Sequence, residues 1–123
     1  MATILVIDDD ARDRELLTTV LEDRGYDVVV AENGGAGLNV CHRHTPDAVV
    51  LDLQMPGIDG RDVLRQLRTL YPSLPVVVFS GLKSKGVEEA LLDQGASAFL
   101  QKAFSLHQLG LALEEVLPPS GRR

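Results

Sequence analysis

Apolar and polar positions follow two different spacings along the chain. Ile4-Leu5-Val6-Ile7 is an unbroken apolar run that meets three acids, Asp8-Asp9-Asp10, and predicts a short buried strand. Residues 11–24 place Leu16, Leu17, Val20 and Leu21 on one helical face, with Arg12, Asp13, Arg14, Glu22 and Asp23 elsewhere. Gly25 ends that helix, since glycine tolerates the left-handed conformation of a C-terminal cap. Val28-Val29-Val30-Ala31 predicts a second strand, and Asn33 caps a glycine-diluted helix to about residue 43 with Ala36, Leu38, Val40 and Cys41. Ala48-Val49-Val50-Leu51 is a third strand ending at Asp52, and Met55-Pro56-Gly57 has loop composition. A helix over about 60–70 turns Val63, Leu64, Leu67 and Leu70 inward. Pro75 to Phe79 is a fourth strand ending at Ser80-Gly81, and residues 85–94 form a helix with Val87, Ala90 and Leu91 inward and Ser84 as its cap. Ala98-Phe99-Leu100 is a fifth strand ending near Lys102. Ser105 with Gln108 makes a capping box before a last helix striped by Leu109, Leu113, Val116 and Leu117.

Five strands therefore alternate with five helices, and the strands are apolar throughout, which predicts helices on both faces of the sheet. The fold class is α/β, a doubly wound five-stranded parallel sheet. Right-handed crossovers leave two common strand orders, 3-2-1-4-5 and 2-1-3-4-5. The 123 residues suit one domain, read as residues 1–117, with 118–123 (Pro118-Pro119-Ser120-Gly121-Arg122-Arg123) as a tail or the start of a linker.

Charge narrows the function. Eighteen acids against 12 bases give a net charge of -6, which argues against direct binding of nucleic acid. No apolar run approaches the ~20 residues of a membrane span, and the short run at 3–7 is no signal peptide. A single cysteine, Cys41, precludes an internal disulfide, and a cytoplasmic location is expected.

In an open parallel sheet, ligands bind beyond the carboxyl ends of the strands. Those ends carry Asp8 and Asp9, Asp52, Ser80 and Lys102. Such a rim repels a free nucleotide phosphate, and the glycines at 34, 35 and 37 lack the G-x-G-x-x-G spacing of a phosphate-binding loop. Clustered carboxylates suit a hard divalent cation such as Mg²⁺. With that charge neutralised, a carboxylate can attack phosphorus, while an ammonium and a hydroxyl meet the transferring oxygens. Asp52, at the end of the Ala48–Leu51 run, is the expected nucleophile. The histidines His42, His44 and His107 have no companion ligands at metal-binding spacing and read as surface residues; Cys41 reads as core.

These residues resemble the receiver domain of bacterial two-component response regulators. The resemblance rests on Ile4 to Asp9, on Pro46-Asp47-Ala48-Val49-Val50-Leu51-Asp52-Leu53-Gln54-Met55-Pro56-Gly57-Ile58-Asp59-Gly60, on Val78-Phe79-Ser80-Gly81, and on Gly95 to Lys102. It implies a flavodoxin-like sheet of order 2-1-3-4-5, as in chemotaxis receivers. It also implies that Asp52 accepts a phosphoryl group from a phosphohistidine on a sensor histidine kinase or histidine phosphotransfer protein. Mg²⁺ would be held by Asp9, Asp52 and the backbone carbonyl of Gln54, with Asp8 acting mainly through water. Ser80 and Lys102 would contact the phosphoryl oxygens, and Ser80 with Phe99 would switch the face formed by the fourth helix, fifth strand and fifth helix. That face would meet a downstream protein, an output domain or a second copy in a homodimer.

Three positions depart from the commoner pattern. Ala103 replaces a proline after the lysine, and a cis bond before a non-proline residue costs ~2.5–4 kcal/mol, so a trans or strained peptide and an altered reach for Lys102 are expected. Phe99 replaces tyrosine and, lacking a hydroxyl, is expected inward or against a partner. Leu82 cannot orient water, so a longer-lived phosphoryl group is expected. The leading reading is a signalling switch, with at most self-phosphorylation and slow autodephosphorylation, rather than an enzyme. The alternative is a pseudo-receiver that binds proteins without phosphorylation. An aspartate-nucleophile phosphatase ranks third, because Gln54 stands where such enzymes place an acid/base carboxylate.

Overall fold

The computed structural model describes residues 2–55, 59–81, 87–102 and 106–117, the side chains of Val87 and Glu88 excepted. The expected positions Leu82, Ser84, Ala103 and Ser105, and the tail from 118, lie outside the described residues. The elements run β1 (Thr3–Ile7), α1 (Ala11–Asp23), β2 (Asp27–Ala31), α2 (Gly34–Arg43), β3 (Ala48–Leu51), α3 (Gly60–Leu70), β4 (Val76–Ser80), α4 (Val87–Asp93), β5 (Ala98–Gln101) and α5 (Leu106–Val116). The strands form one parallel sheet of order β2-β1-β3-β4-β5. Of the two orders left open by the hydrophobic pattern, the structure adopts the one the resemblance implied.

Strand periodicity divides the core in two. Leu5 and Ile7 of β1, Val49 and Leu51 of β3, and Val76 and Val78 of β4 pack with Cys41 of α2, Val63, Leu64 and Leu67 of α3 and Leu91 of α4. The intervening residues Ile4, Val6, Val50, Val77 and Phe79 face the other way, onto Leu17 and Leu21 of α1 and Leu109 and Leu113 of α5. Each central strand thus buries both faces, and its apolar run has no polar alternation.

The sheet edge departs from the expectation of uniform burial. Val29 and Val30 of β2 are exposed, because β2 pairs only with β1. Leu16 and Leu70, expected inward, are each 49% exposed, and Ala90 also faces outward. On α1 the buried stripe narrows to Leu17 and Leu21, which suffice to cover the strands beneath.

Local chemistry sets the helix ends. Asp10 caps α1 by accepting from the backbone N–H groups of Arg12 and Asp13, and Gly25 follows the helix at φ 95°. Asn33 caps α2 through the N–H of Ala36, and Asp59 caps α3 through that of Arg61. Gly60 lets α3 start directly against the preceding loop: a Cβ there would lie 2.5 Å from Leu53 Cα and 2.9 Å from the Asp52 carbonyl oxygen. That close approach holds the chain segment carrying Asp52 against the start of α3.

Candidate functional site

Strand register builds the site. Ile7 pairs with Leu51, so the next residues, Asp8 and Asp52, emerge side by side from the neighbouring strands β1 and β3. Their backbones continue the ladder, Asp52 N–H donating to Ile7 O at 2.9 Å and Asp8 N–H to Ala31 O at 3.1 Å. Ser80 pairs with Gln101, and the Lys102 N–H donates to Ser80 O, which brings Lys102 to the same rim. Asp8, Asp52 and Ser80 are the buried polar residues among those described, at 1%, 3% and 0% exposure. Asp9 is exposed.

Oxygens of Asp8, Asp9 and Asp52, one from each, lie within 4.8 Å of one another. Mg²⁺ binds oxygens at about 2.1 Å in an octahedron, which sets ligand oxygens about 3 Å apart in adjacent positions and about 4.2 Å apart across the ion. The three carboxylates are thus of the right chemistry and near the right spacing for such a cation, and the exposed Asp9 side chain is free to adjust toward it.

The Lys102 ammonium caps this acid cluster. Its Nζ donates to Asp13 Oδ2 at 2.6 Å, Asp8 Oδ2 at 2.9 Å and Asp52 Oδ2 at 3.1 Å. The Lys102–Ala103 peptide lies outside the described residues, but the reach of Lys102 is not impaired. Backbone groups occupy the other oxygens: Asp10 N–H donates to Asp8 Oδ1, and Gln54 N–H to Asp52 Oδ1 at 3.1 Å. The Gln54 side chain is exposed, and its Oε1 lies over Gly81. Phe99 is half-buried and packs against the core on the α2–α3–α4 side.

The carboxylates of Asp8, Asp9, Asp13 and Asp52 gather at the rim with the Lys102 ammonium and the Arg14 guanidinium, so acids outnumber bases there. Burial pushes the Asp8 carboxyl above its usual range, and the hydrogen bonds from Asp10 and Lys102 reverse this only in part. Burial alone would depress Lys102; hydrogen bonds to Asp13 and Asp8, with the charges of Asp52 and Asp8, outweigh it and hold the ammonium well above its ordinary value. The two backbone bonds from Asp13 and Arg12 lower the capping Asp10.

Helical-face reasoning missed Asp13 and Arg14, assigning both to the solvated side of α1. Asp13 instead pairs with Lys102, and Arg14 donates to the Asp8 carbonyl at 2.8 Å. A signal was available. Side chains in the first turn of a helix lean back toward its N-terminus, and this helix begins immediately behind the acid loop. His42, His44 and His107 are exposed and Cys41 is buried, as expected. A cleft of 810 Å³ lined by Thr45, Pro46, Tyr71, Leu74 and Glu115 lies at the opposite, amino end of β3 and β4 and includes no residue of the rim.

The family model for the response regulator receiver domain matches residues 4–114. The chain belongs to the response regulator receiver family. This receiver domain is 43% identical over 106 residues to the response regulator MprA of a Mycobacterium species (strain KMS), covering 86% of this chain and 46% of that protein. The chain spans about half the length of the curated relatives it matches. Among solved structures, the receiver domain of the Francisella response regulator 1452 superposes with a TM-score of 0.88 at 30% identity, over 94% of this chain and 96% of that one. The BeF3-activated receiver domain of Klebsiella pneumoniae RstA gives 0.86 at 31% identity, over 92% and 96%. Among the described residues, no helix of this receiver is long and apolar enough to cross a membrane.

Proposed function

We propose that this receiver domain takes a phosphoryl group onto Asp52 from a phosphohistidine on a sensor histidine kinase or histidine phosphotransfer protein, and works as a switch rather than a turnover enzyme. The observation that carries the reading is a buried Asp52 carboxylate set beside Asp8 and Asp9 and facing the Lys102 ammonium. An Asp52 oxygen forms the new O–P bond as the N–P bond of the donor breaks, and the leaving imidazole nitrogen keeps the electron pair. Asp8, Asp9 and Asp52, with the backbone carbonyl of Gln54, would hold Mg²⁺. Bound there, Mg²⁺ would supply charge neutralisation for phosphoryl oxygens that the acid rim otherwise repels. Lys102 meets a phosphoryl oxygen with an ammonium that stays charged at neutral pH, and Ser80 offers a hydroxyl from the end of β4.

Output follows from movement of Ser80 and Phe99. Phe99 lies on β5 between α4 and α5, and the exposed Leu92 of α4 and Leu111 of α5 provide apolar surface for a downstream protein, an output domain or a second copy. Leu82, outside the described residues, is assigned a longer phosphoryl lifetime because it cannot orient water. The test is incubation with a small acyl-phosphate donor and Mg²⁺. Intact mass should gain one phosphoryl group, and the gain should vanish with a chelator or in Asp52→Asn. No gain where a control receiver is labelled would favour a phosphorylation-independent binding module.

A further inference from the structure

Lys102 has three N–H donors and three carboxylate partners. Two of the partners, Asp8 and Asp52, belong to the cluster fit for a divalent cation; Asp13 does not. Ammonium and cation therefore draw on the same oxygens, and Asp13 makes the shortest of the three contacts, 2.6 Å against 2.9 and 3.1 Å. The backbone fixes Asp13 there. Its N–H is bound by the Asp10 cap at 3.2 Å, which holds it in the first turn of α1 with its side chain leaning back over the rim. The Asp13 side chain is one third exposed, so the ion pair adds little stability of its own. Its consequence is where it holds the ammonium.

We propose that Asp13 is a positioning residue for Lys102: it retains the ammonium at the mouth of the site when a divalent cation takes Asp8 and Asp52, so that the two cations share the site instead of competing for it. The inference rests on the reading of the rim as a Mg²⁺ and phosphoryl site. Without Asp13, Lys102 falls back on Asp8 and Asp52 and opposes the metal. With Asp13, the ammonium keeps one anchor outside the metal's ligands and two donors available to a phosphoryl oxygen.

The test is Mg²⁺ binding measured by calorimetry, with no phosphodonor, on wild type, Asp13→Asn, Lys102→Ala and the double variant. Asp13→Asn should weaken Mg²⁺ binding about threefold or more, as expected of coupling between groups in direct contact. In the Lys102→Ala background the same substitution should change it less than about twofold, because only a neighbouring charge is lost. Asp13→Glu, which keeps the charge on a longer arm, should stay close to wild type. Equal weakening in both backgrounds would make Asp13 a plain charge and overturn the proposal, as would unchanged affinity in Asp13→Asn. A wild-type protein that binds no Mg²⁺ would overturn the underlying site reading as well, so the two failures are distinguishable. As a second readout, phosphorylation at saturating Mg²⁺ should slow on Asp13→Asn only when Lys102 is present; slowing in both backgrounds would count against positioning through the lysine.

Discussion

Folding takes the Asp8 carboxylate almost wholly out of water and sets it beside Asp52. Its pKa rises above the ordinary 3.8, so the folded state binds a proton more tightly than the unfolded state. Below the ordinary value Asp8 is neutral in both states and costs nothing. As pH rises through the folded value the cost appears, and at neutral pH it is complete. Asp8→Asn should therefore raise the denaturant midpoint of the metal-free protein at neutral pH, with the gain shrinking as pH is lowered toward ~4. A gain that instead grew toward acid would contradict the assignment. Strand-end position was enough to single out Asp8, Asp9, Asp52, Ser80 and Lys102 from sequence. Asp13 escaped because a helical wheel sorts residues by face and ignores the backward lean of side chains in a first turn. The same wheel placed Leu16 inward, although α1 needs only Leu17 and Leu21 to cover β1 and β3.

At the scale of elements, the Asp52 segment is held between the end of β3 and the start of α3. Gly60 is the point of contact, and backbone atoms, not flexible side-chain ends, would meet an added Cβ. Gly60→Ala should cost about 1–3 kcal/mol by overpacking and also slow phosphorylation, since relief requires moving the Asp52–Leu53 backbone. Gly35→Ala is the control: its Cβ would meet only Asn33 Oδ1, at 3.5 Å, and the substitution should leave phosphorylation unchanged. Removing the α2 cap with Asn33→Ala should cost about 1 kcal/mol in chemical denaturation without altering phosphorylation, because α2 contributes no residue to the rim. The existence and order of all ten elements were legible from apolar runs, periodicity and caps. The exposure of β2 was not legible from its residues, because an apolar run carries no mark of lying at an edge; the strand order implied by the resemblance, and seen in the pairing, gives β2 one neighbour.

For the whole molecule, periodicity fixed a doubly wound parallel sheet but left two strand orders, and the resemblance implied the one observed. The acidic surplus is partly local. Asp8, Asp9 and Asp52 account for half of the excess of six acids, and the fold gathers them, with Asp13, at one rim. Such a rim ties folding to cation binding. A ligand that binds only the folded state stabilises it by about 2.7 kcal/mol at one hundred times its dissociation constant. Mg²⁺ should accordingly raise the unfolding temperature of the wild type, and Asp9→Asn should diminish that increment with little change in the metal-free protein, since Asp9 is exposed. An equal Mg²⁺ increment in both would place the cation elsewhere.

Of the four neighbouring acids, Asp52 is the one proposed to form the phosphoryl bond. Borohydride reduces an aspartyl phosphate to homoserine and leaves free carboxylates untouched. After reaction with an acyl-phosphate donor and Mg²⁺, reduction and peptide mapping should find homoserine at position 52 and none at 8, 9 or 13. Homoserine at one of those three positions, or at none of the four, would rule out Asp52 as the phosphoryl acceptor.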